Sequence, residues 1–195
     1  MPQAGPLRST QCLAVAVKDG GDAVSSAMKR TVDSYRFLEF GTQQMVKAWI
    51  EREPVREIPW TPLAMPLSEA TVSLVSSAAI ALKTDEPFDL EGERRNPWWG
   101  DPSYRIIPSG ANQKDVEIYH LHIDPRFGRE DLNSVLPLRR LEELQELGDV
   151  GEVAPRHFSY MGYTLDPTEL LEVSVPGMIR DLREDGVDVV LLVPT

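Results

Sequence analysis

Two histidines and an aspartate lie close together in the segment His120-Leu121-His122-Ile123-Asp124. A strand is predicted over residues 116–123, and its alternation places both imidazoles on one face. Imidazole and carboxylate groups at this spacing can bind a metal ion, with Asp124 as a third ligand. Alternatively, hydrogen bonds hold both imidazoles at the end of the strand. Because a metal site also needs further ligands and supporting hydrogen bonds, the sequence leaves both interpretations open.

A second group that could do chemistry is Arg156-His157, which follows a predicted strand over residues 150–154. At the end of that strand, the pair is expected on the same edge of the sheet as Asp124. An imidazole beside a guanidinium there could orient a carboxylate and move a proton. His157, together with His120, is therefore a candidate catalytic residue. The alternative is a surface loop containing one hydrogen-bonded histidine.

Arg105 stands at the end of the turn-forming segment Gly100-Asp101-Pro102-Ser103-Tyr104-Arg105. A guanidinium presented by a rigid turn suits bidentate binding of a carboxylate; the alternative is an ion pair with one of the many acidic residues. Small residues also follow the first predicted strand, where a ligand could approach the backbone closely. The candidate substrate-binding residues are Arg105, Arg156, Asp101, Ser76 and Ser77.

These residues lie within a predicted alternation of strands and helices. Strands are predicted over residues 71–75, 116–123, 150–154 and the last ten residues, with helices after Pro137 and over residues 166–185. A buried stripe on the first of these helices would consist of Leu138, Leu141, Leu144 and Leu147. The pattern predicts an α/β fold in three layers, a parallel sheet with flanking helices.

The final strand organises this prediction. Its apolar, β-branched sequence after Gly186 is typical of a buried strand. In open α/β sheets, ligands bind at the carboxyl ends of the strands, so the chemistry is expected near Thr195.

Three regions are predicted along the chain. Residues 1–53 form an N-terminal tail and helical arm, and residues 54–68 form a connector whose prolines disfavour regular hydrogen bonding. Residues 69–195 form the α/β domain.

Composition limits the classes of function. The chain has 195 residues and a net charge of -11, which argues against a nucleic-acid partner because phosphate binding needs a basic surface. No apolar run is long enough to cross a membrane, and a single cysteine favours the cytoplasm. The sequence contains neither a glycine-rich phosphate-binding loop nor a Gly-x-Ser-x-Gly nucleophile turn.

From residue 59 onwards the sequence resembles the selenoprotein B subunit family of the glycine, sarcosine, betaine and D-proline reductases. The resemblance is carried by Pro66-Leu67-Ser68-Glu69-Ala70, Gly100-Asp101-Pro102-Ser103-Tyr104-Arg105, His120-Leu121-His122-Ile123-Asp124, Asn133-Ser134-Val135-Leu136-Pro137, Pro155-Arg156-His157-Phe158-Ser159-Tyr160-Met161-Gly162 and Asp185-Gly186-Val187-Asp188-Val189.

This resemblance implies an oxidoreductase subunit that cleaves a carbon–nitrogen bond of an amino acid or of betaine. The nucleophile would be a selenocysteine or cysteine just beyond Thr195, whose pKa a helix N-terminus lowers. A partner subunit would carry a pyruvoyl group, and a thioredoxin-type dithiol would supply the electrons. Other reductase subunits are the expected partners, in an oligomer, with no cofactor on this chain itself.

The sequence departs from the family pattern where the selenocysteine/cysteine-x-x-cysteine motif would follow Thr195. We expect a reading frame closed at a UGA codon for selenocysteine; a deliberate boundary or a naturally split chain is the alternative. Codons downstream of Thr195 decide between these, and we expect no turnover by this polypeptide alone.

Two other functions stay open at this point. One is a non-catalytic scaffold or binding subunit that holds a small carboxylate or a metal ion through Arg105, His157, His120 and His122. The other is a metal-dependent enzyme that uses His120, His122, Asp124 and His157.

Overall fold

The computed structural model describes residues 34–52, 61–96 and 99–195. The first of these ranges belongs to one compact unit, and the other two belong to a second unit. In the first unit, a 3-10 turn over Ser34–Phe37 precedes helix α1 (Phe40–Arg52). This helix is part of the predicted arm; residues 1–33 and 53 of that region, and residues 54–60 of the predicted connector, lie outside the described residues.

The second unit is built on a five-stranded sheet. Its central strand β1 (Thr71–Ser76) pairs in parallel with β7 (Val189–Val193) on one side. On its other side it pairs in parallel with β5 (Glu152–Val153) and then with β6 (Arg156–Tyr160). Strand β3 (Tyr104–Pro108) is antiparallel to β6 and forms an edge. The predicted α/β fold is confirmed, although the sheet is mixed rather than wholly parallel.

Helices cover both faces of this sheet. Helix α4 (Leu138–Glu146) shares a buried cluster with Val72 and Leu74, whereas helix α5 (Val175–Glu184) shares another with Val75. Successive side chains of a strand point to opposite faces, so these two clusters lie on either side of β1. The sheet is therefore the middle of three layers, as predicted.

Two predictions about burial are wrong. Leu138 and Leu141 of α4 are buried, but Leu144 is 41% exposed and Leu147 is 75% exposed, because the last turn of this helix extends beyond the core. Strand β7 lies in the sheet as expected, yet Leu192 is 68% exposed. Among the described residues β7 pairs only with β1, so it is an edge strand rather than a buried one.

The strand predicted over residues 116–123 is shorter and lies elsewhere. Strand β4 (Val116–Ile118) pairs antiparallel with β2 (Ile80–Leu82) in a separate two-stranded sheet. The backbone N–H of Tyr119 donates to the carbonyl of Ala79, and a turn follows. His120 and His122 therefore lie in the turn after the strand, not on one strand face.

The helices differ from the predictions in detail. Elements that were not predicted include helix α2 (Leu90–Arg95), strand β3 and helix α3 (Pro125–Glu130), which Asp124 caps. The helix predicted over residues 166–185 consists of a π-helical turn over Leu170–Ser174 followed by α5. Within the described ranges, no helix combines the length and the apolar character that crossing a bilayer requires.

Candidate functional site

The carboxyl ends of β1, β6 and β7 meet at one edge of the sheet, here called the carboxyl edge. Ser77, which follows β1, accepts a hydrogen bond at Oγ from the backbone N–H of Thr195 (2.9 Å). The carbonyl of Ser77 accepts from the backbone N–H of Gly162, which follows β6 (2.9 Å). A Cβ at Gly162 would lie 2.7 Å from the Cβ of Ser77, so this close approach of backbones requires glycine.

Ser76 and Ser77 thus have structural partners at the predicted place. The Oγ of Ser76 donates to the carbonyl of Val135 (2.7 Å) and accepts from the N–H of Ala78 (3.1 Å). Both serines are buried. Both hydroxyl groups are engaged in these hydrogen bonds within the protein. Their proposed contact with a substrate stays a prediction.

Next to the carboxyl edge, His122 and Glu93 form a hydrogen-bonded pair. Nε2 of His122 lies 3.0 Å from Oε1 of Glu93. The imidazole packs against the ring of Tyr163, with the centroids 4.0 Å apart. The side chain of His122 is 47% exposed, whereas that of Glu93 is 2% exposed. A buried carboxylate therefore holds an imidazole that solvent can reach.

Glu93 is unusual for an acidic residue in a short, charged helix. Its second oxygen, Oε2, is buried and has no hydrogen-bond partner among the residues that the structure describes. Burial raises the pKa of Glu93, and the neighbouring His122 and Arg94 oppose that rise only in part. A buried carboxylate is costly unless it is paired and hydrogen-bonded, so His122 is the contact that compensates for burial of Glu93.

Two glycines bring the helix and the loop of this pair together. A Cβ at Gly92 would lie 2.5 Å from Cζ3 of Trp99, so only glycine lets this ring pack on helix α2. A Cβ at Gly100 would lie 2.7 Å from the carbonyl oxygen of Tyr163. The segment 99–100 thereby joins the helix of Glu93 to the loop of Tyr163 and fixes both partners of His122.

His120 lies beside this pair but faces the interior. It is 6% exposed, and its Nδ1 accepts a hydrogen bond from the backbone N–H of His122 (3.1 Å). Burial, followed by the charge of His122, lowers the pKa of His120. One imidazole is thus held by the backbone of the turn while the other is held by a carboxylate.

Asp124 does not complete a metal site with these histidines. It caps helix α3 by accepting from the backbone N–H of Arg126 (3.0 Å), and it pairs with the guanidinium of Arg126 (2.6 Å). Those hydrogen bonds lower the pKa of Asp124 to about 2. Within residues 34–52, 61–96 and 99–195, no three His, Cys, Asp or Glu side chains converge as metal ligands.

Arg105 and Asp101 also lie near the carboxyl edge, because Tyr104 of β3 pairs with Tyr160 at the end of β6. The guanidinium of Arg105 donates to the carbonyl of Glu86 (2.8 Å) and to Oγ of Ser103 (2.8 Å). It makes no ion pair among the described residues.

Further contacts fix these two side chains in place. Arg105 also stacks over the ring of Phe88 at 4.4 Å. The carboxylate of Asp101 accepts from the N–H groups of Asp89 and Ser103. Their proposed role in carboxylate binding stays a prediction, and in this structure both side chains order the loops around them.

The predicted position of Arg156 and His157 is wrong. They begin strand β6 and lie opposite the middle of β1, not on the carboxyl edge. Arg156 makes a bidentate ion pair with Asp185 after α5 (2.7 and 2.8 Å). His157 is fully buried, and its Nδ1 accepts from the backbone N–H of Leu74 (3.0 Å).

The position of His157 has a simple physical cause. The partner strand of β1 is interrupted between β5 and β6, so the N–H of Leu74 would lack an acceptor without this imidazole. Burial lowers the pKa of His157 to about 4. A neutral imidazole that accepts at Nδ1 carries its proton on Nε2, and Nε2 is buried with no partner in the described part of the chain.

Sequence reasoning missed Glu93 and Tyr163. Glu93 stands in the charged run Glu91-Gly92-Glu93-Arg94-Arg95, which is typical of a solvated surface. The neighbouring Gly92 is the one available signal, because glycine within a short helix indicates close packing.

Two curated relatives match the chain. It is 32% identical over 152 residues to D-proline reductase subunit gamma of Acetoanaerobium sticklandii, covering 78% of this chain and 58% of the relative. It is 28% identical over 145 residues to glycine reductase complex component B subunit gamma of Carboxydothermus hydrogenoformans, covering 71% and 31%. The chain thus spans less than two thirds of these relatives. No family model and no solved structure matches.

Proposed function

Because the chain belongs to the reductase selenoprotein B family, we propose that it is a subunit of a complex that reductively cleaves a carbon–nitrogen bond. The substrate is D-proline, glycine, sarcosine or betaine, and the electrons come from a thioredoxin-type dithiol. The observation that carries this proposal is the 32% identity to D-proline reductase subunit gamma over 78% of the chain.

The nucleophile of this proposal is a selenocysteine or cysteine that follows Thr195, and a pyruvoyl group on a partner subunit activates the amine. The hydrogen bond from the N–H of Thr195 to Oγ of Ser77 supports that placement, since it holds Thr195 at the carboxyl edge of the sheet, where ligands of α/β sheets bind. A selenolate or thiolate there would form a bond to the substrate carbon while the nitrogen leaves with the bonding electrons.

The residues of this chain would build the surroundings of that reaction. Ser77 and Gly162 fix the ends of three strands against one another. Tyr163 and His122 continue the same edge and present an aromatic ring and an imidazole. Arg105 and Asp101 hold the neighbouring loops in place.

Reconstitution tests this function. The full reading frame, including codons downstream of Thr195, is expressed with the partner subunits and supplied with each of the four substrates and dithiothreitol. We expect loss of one substrate and appearance of its reductively cleaved product by mass spectrometry. The matched control replaces the selenocysteine or cysteine with alanine and should give no product. A wild-type complex that consumes none of the four substrates would overturn the proposal.

A further inference from the structure

The side chains of His122 and Glu93 have the arrangement of a carboxylate that orients a histidine. The buried Oε1 of Glu93 receives Nε2 of His122 at 3.0 Å. No hydrogen bond to Nδ1 of His122 occurs in the described part of the chain, and this side chain is 47% exposed. The carboxylate thus fixes the tautomer with a proton on Nε2 and leaves Nδ1 available to a reacting group.

Burying the carboxylate of Glu93 costs free energy. Beyond the contact with His122, no hydrogen bond of this side chain in the described residues offsets that cost. Oε2 of Glu93 is buried and has no partner in the ranges 34–52, 61–96 and 99–195, whereas Glu91 on the same helix is 65% exposed and pairs with Arg94 at the surface. Buried polar groups without partners are rare and cluster at functional positions. Glu93 therefore points to a role that a surface glutamate would not fill.

The location of the pair matches the reaction. Tyr163 contacts the ring of His122, Gly162 contacts Ser77, and Ser77 holds Thr195. A continuous series of contacts thus connects His122 to Thr195, after which the nucleophile is proposed to follow.

We propose that His122 is the proton donor to the leaving nitrogen and that Glu93 is its positioning residue; this rests on the function proposed above. The carbon–nitrogen bond breaks as the carbon–selenium or carbon–sulfur bond forms, and its electron pair stays on nitrogen. Nδ1 of imidazolium His122 gives its proton to that nitrogen and becomes neutral. Solvent then reprotonates the half-exposed imidazole. One thiolate of the dithiol attacks the selenium or sulfur of the adduct, so that the bond to carbon breaks and the carbon takes a proton from solvent; the second thiol then closes the disulfide and frees the nucleophile.

Chemical labelling tests the pair without relying on turnover. The chain has three histidines, and His120 and His157 are buried, so diethylpyrocarbonate should modify His122 first, as mapped by mass spectrometry. Within the described part of the chain, the titratable groups that contact His122 are Glu93, His120 and Tyr163, and the charge of Arg94 acts on Glu93. Glu93→Gln should shift the pH at which labelling is half-maximal, while the matched surface variant Glu91→Gln should not. Equal pH dependence in all three proteins would overturn the inference.

Turnover of the assembled complex then tests the role. His122→Ala should lower kcat by about 10²–10⁴-fold, the usual range for general acid–base catalysis, and added imidazole should restore part of it. Glu93→Gln should lower kcat with little change in KM and alter the pH profile, whereas Glu91→Gln should match wild type.

The outcomes separate the two proposals. An active wild-type complex whose His122→Ala variant keeps full activity, or loses it without rescue by imidazole while melting at the wild-type temperature, overturns the role of His122. An inactive wild-type complex overturns the proposed function, and the labelling result then decides on the pair.

Discussion

His157 lies within the five-stranded sheet, whereas His122 lies in the turn after β4, and the two differ in what surrounds them. His157 is fully buried at the start of β6, and its Nδ1 accepts a hydrogen bond from the backbone of β1. His122 is 47% exposed near the carboxyl edge and is bonded to a carboxylate. The first imidazole completes a sheet, whereas the second can exchange protons with solvent.

The comparison shows that residue type does not identify a functional histidine. The neighbouring Arg156 made His157 a candidate catalytic residue, but the guanidinium of Arg156 is paired with Asp185. A buried carboxylate, which the sequence does not reveal, distinguishes His122. The accessible nitrogen and the partner of the other nitrogen are therefore the better criteria.

The largest expected effect is on stability, from His157→Phe. This variant keeps an aromatic ring but leaves the buried N–H of Leu74 without an acceptor. We expect a loss of about 3 kcal/mol in the free energy of unfolding, measured with urea. The matched variant His122→Gln, at the half-exposed position, keeps a hydrogen-bond donor for the buried carboxylate of Glu93 and should cost about 1 kcal/mol. Equal losses would remove the distinction between the two histidines.

Acid should act on the same imidazole. Burial lowers the pKa of His157 to about 4 from its ordinary value of 6.5, so the unfolded chain binds this proton more tightly than the folded one. The contribution of His157 is complete above pH 6.5 and declines as the pH falls, by about 3 kcal/mol at pH 4.

Urea denaturation at a series of pH values measures that decline. Carboxyl groups contribute over the same range, so the difference between wild type and His157→Phe isolates the imidazole. A difference that is independent of pH between 4 and 7 would contradict the assignment.

The next largest loss of stability is expected from breaking the ion pair of Arg156. Its side chain is 27% exposed and that of Asp185 is 11% exposed, and two short hydrogen bonds join them. Arg156→Met should therefore lower the free energy of unfolding by about 2 kcal/mol. The control Arg126→Met removes the exposed pair with Asp124 and should cause no measurable loss. If both variants behave alike, the amino end of β6 is not specially stabilised by this pair.

The smallest expected effect is at the carboxyl edge, from Ser77→Ala. It removes the acceptor of the N–H of Thr195 and should cost about 1 kcal/mol by thermal denaturation. Hydrogen exchange should also quicken in β7 more than in β6. Unchanged exchange in β7 would show that Ser77 does not hold the end of this strand.

Local patterns in the sequence identified much of the framework. The apolar run of β1, the helix after Pro137 and the strand after Gly186 were predicted because each has a clear period and a clear stop signal. Which strands lie next to one another depends on pairing between distant segments, which a local pattern does not show. For that reason the exposed edge position of β7 was not predicted.

The candidate site was predicted only in part. His120 and His122 were selected by their spacing, but alternation cannot show that the chain turns after Ile118. Burial of Glu93 depends on Trp99 and on the loop of Tyr163 packing against α2, which are tertiary contacts. A charged run gives no sign of them.

The pairing of β1 sets the order of events during synthesis. Leu74 finds its histidine acceptor 83 residues later in the chain, and the N–H of Thr71 binds the carboxylate of Asp188, 117 residues later. Closing such long loops costs entropy before any contact rewards it. A nascent chain on the ribosome therefore carries this apolar strand without these partners while the next 83 and 117 residues are made, which exposes the strand to aggregation and to chaperone binding.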